Sequence, residues 1–166
     1  SCALDDTDDR FHGGQQLALF HPHHDSRCFL PIHIYEAGSG KPVAIILRPG
    51  KTPDGAEVAL VLRHVVRAIR SHWPAVDILI RGDSHYGRPE ALAWLERNRV
   101  GYIFGLGGNK VLLARAAPLA DDAAVSRVAG AAAKVRRFGA FRHAAKTWPV
   151  ERQVIARVEA SLQGSD

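Results

Sequence analysis

The sequence predicts an α/β fold in which a mixed sheet is flanked by helices. Two observations carry this prediction. Apolar runs of strand length alternate with longer segments of helical periodicity between residues 43 and 106, and a turn-rich segment at 37–42 joins two apolar runs as a hairpin. Strands that alternate with helices imply crossovers between parallel strands, whereas a hairpin supplies antiparallel neighbours. We therefore expect one sheet with both kinds of pairing and helices on both of its faces.

Hydrophobic periodicity assigns the elements in order. Apolar alternation predicts strands, and aliphatic residues at i, i+3, i+4 and i+7 predict a helix that Pro74 ends. A nearly continuous apolar run then predicts a buried strand, and Pro89 lies in the first turn of the next helix. The predicted elements are strands at 27–36 and 43–50, a helix at 52–73, a strand at 76–83, a helix at 88–99 and a strand at 100–106.

The remaining sequence predicts a different kind of structure. Residues 109–135 are rich in alanine and predict one or two helices, with an interruption at Pro118. Two further runs, at 137–145 and 150–159, predict a second hairpin around the segment "KTWP". Cys2 to Leu4 is short and apolar, and predicts the end of another strand of the sheet.

Composition limits the class of protein. The 166 residues are 46% apolar, enough to bury a core, and no stretch of eighteen apolar residues or secretory signal is present, so we expect a cytoplasmic protein without a membrane span. The two cysteines make no disulfide framework. The formal net charge is +5, mostly from arginine, whose planar guanidinium suits phosphate. This favours a nucleic-acid partner, although such a charge also falls within the ordinary range for soluble proteins.

Acidic residues follow two of the apolar runs. Asp83 lies in "RGDSHYG" at the carboxyl end of the buried strand, where open α/β sheets bind their ligands. Asp5 follows the apolar run Cys2 to Leu4, and Asp6, Asp8 and Asp9 come next in a predicted loop. Because these carboxylates repel one another, a divalent cation would stabilise them, and Mg²⁺ or Mn²⁺ prefers such hard oxygen ligands. The alternatives are a solvated acidic turn at the first cluster and a local turn hydrogen bond at Asp83.

Four segments together resemble the catalytic region of DDE transposases of the IS1380 type. They are "LDDTDDRFHGGQQLALF", "CFLPIHIYEAGSGKPVAIILRPGKTPDG", "ILIRGDSHYGRPE" and "YIFGLGGNKVL". The resemblance implies an RNase H-like fold, with the catalytic core at 1–108 and part of a helical and hairpin insertion at 109–166. It also implies cut-and-join chemistry at the ends of an insertion element, with a divalent metal pair, Mg²⁺ or Mn²⁺, held by two aspartates and a glutamate.

The resemblance transfers two catalytic residues to this sequence. Asp5, with Thr7, matches the motif of the first acid, and Asp83 matches the second. Because Ala3 stands where members of the family commonly carry a further acid, Asp6 is kept as a second candidate for metal binding. The family's glutamate lies on a helix beyond the insertion, and we assign that role to neither Glu90 nor Glu159.

The sequence contains no methionine, even at position 1, and so is expected to be part of a longer protein. We therefore predict a fragment of a DNA transposase catalytic domain whose parent cleaves and joins DNA strands. The parent's partners would be element ends and target DNA, and it could form homo-oligomers. Without the third acid, this chain is expected to be inactive or nearly so. Two alternatives stay open: a metal-dependent nuclease of the same fold, and an inactive remnant that only binds DNA.

Basic side chains near strand ends are candidates for contact with DNA. Arg48, Lys51 and Arg81 are predicted to bind phosphate, and His85 stands close to the second acid. Residues 135–146 interleave basic and aromatic side chains, which is typical either of a DNA surface or of a strand with a packed aromatic face. The segment "HPHHD" at 21–25 fits either transition-metal binding or a polar loop.

Overall fold

The computed structural model of the chain describes residues 1–7, 9–10, 18–21, 25–130, 133–146, 148–161 and 164–165. It divides the chain into two units, Ser1–Leu106 and Gly107–Asp166. The first unit contains the strands β1 Cys2–Asp6, β2 Asp9–Arg10, β3 Leu19–His21, β4 Ser26–Phe29, β5 Ile32–Glu36, β6 Pro42–Ile46, β7 Leu79–Gly82 and β8 Gly101–Phe104, and the helices α1 Gly55–His72 and α2 Pro89–Arg97. The second contains α3 Lys110–Ala129, β9 Lys134–His143, β10 Arg152–Ser161 and β11 Gly164–Ser165.

A five-stranded mixed sheet forms the centre of the first unit. Its strand order is β6-β5-β1-β7-β8. β1 pairs antiparallel with β5 and β5 with β6, whereas β7 is parallel to both β1 and β8. This arrangement is consistent with the RNase H-like fold that the sequence resemblance implies. The α/β fold class with a helix-flanked mixed sheet is thereby confirmed.

Both helices of the first unit pack on the same face of this sheet. Asp54 caps α1, accepting a hydrogen bond from the Glu57 amide at 2.9 Å. The aliphatic stripe of α1, centred on the fully buried Leu62, forms one core with α2 and with alternate strand residues such as Leu4 and Ile80. The crossover pattern predicts helices on both faces. Within residues 1–106, the structure instead has both helices on one face.

The opposite face of the sheet carries the other strand residues and is more exposed. Val43, Ile45 and Ile103 lie on it and are 41%, 60% and 55% exposed. By alternation along the strands, Ala3 and Asp5 of β1 belong to this face, whereas Leu4 belongs to the core face. The sheet therefore presents the first predicted catalytic acid on the side away from α1 and α2.

The strand predicted over 27–36 is two strands in the structure. Pro31 lies between β4 and β5, and β4 belongs to a separate small sheet of order β2-β4-β3. Gly50 is adjacent to this sheet, since a Cβ atom there would lie 2.1 Å from the Cys28 carbonyl oxygen. The prediction of a loop after Asp5 was also wrong in part, because Asp6 ends β1 and Asp9 lies in β2. Asp8 is outside the described residues.

In the second unit, one helix packs on a long β-hairpin. α3 is continuous through Pro118, and β9 pairs with β10 over ten residue pairs, which confirms the predicted hairpin. The small core contains Ala123, Val158 and Ala160. Among the described residues, no helix combines the length and apolar character needed to cross a membrane.

Candidate active site

Asp5 and Asp83 are brought together by the parallel pairing of β1 and β7. The pairing aligns Cys2 with Ile80 and Ala3 with Arg81. Two residues further, the same register sets Asp5 beside Asp83, whose φ of −70° and ψ of 171° continue the extended backbone of β7. A Cβ on Gly82 would lie 3.4 Å from that of Leu4, as this register requires. Neighbouring strands are about 4.8 Å apart, so the two acids are neighbours on one face.

Asp6 faces the other way and lies against a histidine side chain. Its Oδ1 lies 3.2 Å from Nε2 of His85, and the buried Tyr86 lies beside it. His85 holds the pKa of Asp6 below its usual range, against the opposing effect of burial. Burial, together with the nearby Asp6 and Asp5 charges, raises the pKa of Tyr86, so its hydroxyl stays protonated. Asp6 therefore belongs to a buried polar cluster at the core face.

A pocket of about 360 Å³ opens at this end of the sheet. Asp5, Asp6 and Asp83 line it with His85, and further lining residues come from three other segments: His21, Leu30 and Thr52. Both Asp5 and Asp83 are exposed. Asp5 Oδ1 accepts a hydrogen bond of 3.0 Å from the Asp6 amide. The pocket thus contains two solvent-accessible carboxylates, and its other lining residues are both polar and apolar.

Arg48 holds the pocket wall and is not available to bind DNA, which corrects the sequence-based prediction. It is 4% exposed, and its Nε and Nη2 each donate to a Glu57 carboxylate oxygen at 2.8 Å. Its Nη1 donates to the carbonyls of Leu30 and Lys51 at 3.1 and 2.8 Å. A guanidinium fits this role because its planar group can meet a carboxylate with two parallel bonds. The cluster ties the segment after β6 to the first turn of α1.

The other predicted DNA contacts have different surroundings. Lys51 and Arg81 are both exposed, as a phosphate contact requires. Arg81 belongs to the same sheet face as Asp83, two residues before it. His85 lines the pocket and is engaged with Asp6. Lys51, Arg81 and His85 stay predictions.

The sequence of the chain matches one known protein family over most of its length. The model of the family described as transposase DDE domain group 1 matches residues 3–166. The chain belongs to this family. No curated protein matches the chain. Membership confirms the broad transposase prediction and implies DNA as the partner, while the narrower IS1380 assignment rests on the sequence motifs.

Transposase DDE domains generally use divalent metals, and the site fits such an ion in part. Among the described residues, no group of three His, Cys, Asp or Glu side chains converges to hold a metal. Asp5 and Asp83 nevertheless provide two accessible carboxylates on one sheet face. Magnesium and manganese keep several waters and are commonly bound by one or two carboxylates with substrate phosphates. The donor set therefore suits a hydrated ion that DNA helps to hold.

The two glutamates considered for the third acid position have other surroundings. Glu90 lies in the first turn of α2, against Gly55 at the start of α1. Glu159 is in the second unit, where Lys134 and Arg136 pair with it and lower its pKa to about 2. Neither residue is assigned a catalytic role.

Three residues of the pocket neighbourhood were not predicted to belong to the site of Asp5 and Asp83. His21 was considered as a zinc ligand or loop residue, but in the structure it lines the pocket from β3, while Pro22, His23 and His24 lie outside the described residues. His33 is the register partner of Asp5 on β5. Its position between the buried Ile32 and Ile34 is a usable signal for a side chain on the outer face. No sequence pattern indicates Thr52, because its position at the pocket depends on the hydrogen bonds of Arg48.

Proposed function

We propose that this transposase domain takes part in metal-dependent cleavage and transfer of DNA strands at the ends of an insertion element of the IS1380 type. Asp5 and Asp83 would ligate the metal, Mg²⁺ or Mn²⁺. The observation that carries this proposal is the β1–β7 register, which makes the two acids neighbours on one sheet face although they are almost eighty residues apart. Neither acid has a cation paired with it among the ion pairs of the described residues.

Asp5 is a better candidate than Asp6 for the first ligand. Asp6 belongs to the core face, its carboxylate is engaged by His85, and its side chain is 16% exposed. Moving Asp6 away from His85 to reach a metal would break a partly buried polar contact. Asp5 is exposed and belongs to the same face as Asp83. We therefore assign Asp6 a supporting role: it orients His85 at the rim of the pocket.

The chemical roles of the protein groups follow from this arrangement. When bound, a divalent ion would polarise the scissile phosphate and favour ionisation of the attacking water or 3′-hydroxyl. Asp5 and Asp83 act as acceptors and concentrate negative charge where the cation sits. Arg81, on the same face, is suited to a neighbouring phosphate of the same strand. His85 can donate to a phosphate oxygen while Asp6 holds its ring.

Because no third ligating side chain joins the pair among the described residues, we propose that this chain alone holds metal weakly and cleaves DNA poorly. The same observation favours the second candidate function, a domain that binds DNA without cutting it. The two candidates differ in one property. A domain with a catalytic pair binds Mn²⁺ through Asp5 and Asp83, whereas a pure DNA-binding remnant has no need of them.

Mn²⁺ binding to the purified chain, followed by electron paramagnetic resonance, tests the proposal without relying on activity. Asp5→Asn and Asp83→Asn should each weaken binding by about tenfold or more, since each removes one of two charged ligands. Asp77→Asn is the matched control, because Asp77 is also exposed but precedes β7 at the other end of the sheet. Equal affinities in all four proteins would refute the metal assignment.

Cleavage of a labelled oligonucleotide in Mn²⁺ tests whether Asp5 and Asp83 are sufficient for catalysis. We expect little or no product from the wild-type chain. Robust cleavage that Asp83→Asn abolishes would show that the two acids suffice, and would overturn the proposal that a further ligand is needed. Addition of an oligonucleotide with a free 3′-hydroxyl separates the transposase from the nuclease alternative, because only a transposase would also form a joined product.

A further inference from the structure

The outer face of the β9–β10 hairpin carries a surface that the candidate active site does not use. Cross-strand pairing aligns Phe138 with Arg157 and Arg136 with Glu159, while Arg142 lies four residues after Phe138 on the same side. α3 packs on the other face, through Val135, Val158 and Ala160. We define the hairpin surface as Lys134, Arg136, Phe138, Arg142, Ile155 and Arg157.

Its aromatic residue is not part of the packing. Phe138 is 64% exposed, whereas the other phenylalanine of β9, Phe141, is half-buried on the helix side with Arg115 over its ring at 5.5 Å. The sequence of this segment was compatible with a DNA surface or with a packed aromatic face. In the structure, Phe138 is exposed and Phe141 is packed. Ile155, a diagonal neighbour of Phe138 on the same face, is also 64% exposed, so the centre of the hairpin surface is apolar.

The charges around Phe138 indicate what covers it. Four cations belong to this face, and the acids near it are Glu159, which pairs with Lys134 and Arg136, and Glu151, 3.8 Å from Arg142. Arg157, directly across from Phe138, makes no ion pair with any residue that the structure describes. Cations around an exposed ring are complementary to a polyanion with flat apolar groups, which describes single-stranded nucleic acid.

We propose that the hairpin surface binds a single-stranded segment of DNA, with one base stacked on Phe138 and the backbone held by Arg157 and Arg142. The choice of DNA as the nucleic acid rests on the proposed function, but the surface itself is independent of Asp5 and Asp83. Cleavage at an element end leaves unpaired nucleotides, which such a surface would bind. A protein partner is the competing occupant.

Fluorescence anisotropy with a labelled single strand and with the matching duplex, in EDTA, tests this inference. Phe138→Ala should weaken single-strand binding by about 5- to 100-fold, the effect of losing one base stack, and weaken duplex binding less. Phe138→Trp should bind as well as wild type because it keeps a stacking face. Leu60→Ala is the control, since Leu60 is an apolar residue of α1 that is 63% exposed.

Arg157→Ala tests the phosphate contact through salt dependence. Loss of one contact to a single strand should lower the slope of log affinity against log salt by about 0.7. Arg63→Ala, an exposed cation of α1, should leave the slope unchanged. Single-strand affinities of Phe138→Ala and Arg157→Ala that match their controls would overturn the inference and favour a protein partner. Strand binding is measured in EDTA and the metal assignment by Mn²⁺ binding, so failure of the metal assignment and failure of this inference would be recognised separately.

Discussion

Replacing Arg48 by alanine should destabilise the protein without affecting a DNA contact. The guanidinium is 4% exposed and makes four hydrogen bonds, two to Glu57 and two to backbone carbonyls. Its removal leaves the Glu57 carboxylate without its partner beside the core and leaves two carbonyls without these donors. Both effects raise the free energy of the folded state relative to the unfolded chain.

The size of the destabilisation depends on how exposed Arg48 and Glu57 are. Breaking a fully buried ion pair by removing one member costs about 3–5 kcal/mol. The Arg48 side chain is 2% exposed, but that of Glu57 is 31% exposed and can recover some hydration. We therefore expect the low end, about 3 kcal/mol, which for a chain of this size lowers the melting temperature by about 6–12 °C. Arg48→Lys should recover little of it, since an ammonium cannot make the bidentate contact.

Thermal unfolding followed by circular dichroism measures this change. Lys51→Ala is the matched control, because Lys51 is an exposed cation three residues away and should melt like wild type. DNA affinity is then measured by anisotropy well below the transition. An Arg48→Ala variant that melts like wild type but binds DNA more weakly would contradict the structural role and restore Arg48 as a phosphate contact.

Two further predictions concern the stability of each unit. Gly50→Ala should lower the free energy of unfolding by about 1–3 kcal/mol, because its Cβ would lie 2.1 Å from the Cys28 carbonyl oxygen. Gly108→Ala is the control in the same urea titration and should be neutral, because a Cβ at Gly108 would have no atom within 4 Å. Glu159 has a pKa of about 2 instead of 4.5, owing to Lys134 and Arg136. Its contribution to hairpin stability is therefore complete above pH 4.5 and lost as the pH falls towards 2. An NMR titration of Glu159 with a midpoint near 4.5 would contradict this.

Periodicity was sufficient for most elements of the fold. The helix α1 and the strand β7 were assigned correctly. Apolar residues spaced by three and four are typical of a helix, whereas a short continuous apolar run is typical of a buried strand. The strand over 27–36 was wrong because apolar alternation continues through Pro31, whereas the chain changes sheets there. Sequence period does not record which sheet a strand joins.

The candidate site was predictable to the extent that it depends on strand ends. Asp83 follows a buried strand, and Asp5 lies near the end of another, so their proximity follows once the strands are parallel neighbours. The misassignment of Arg48 has a different origin. An arginine near a strand end looks the same in sequence whether it faces DNA or a carboxylate, and its partner Glu57 becomes visible only when α1 is packed.

The alternation of β1 also explains how two adjacent acids acquire different roles. Successive side chains on a strand point to opposite faces, so Asp5 and Asp6 start from opposite sides of β1. Asp6 faces the core side, where its carboxylate lies 3.2 Å from Nε2 of His85. Asp5 faces the side of Asp83, and the repulsion between two exposed carboxylates is the physical reason for the shared cation that we propose there. The alternation thus gives Asp6 a contact within the protein and leaves the Asp5 carboxylate exposed to the proposed cation, which would complete the site.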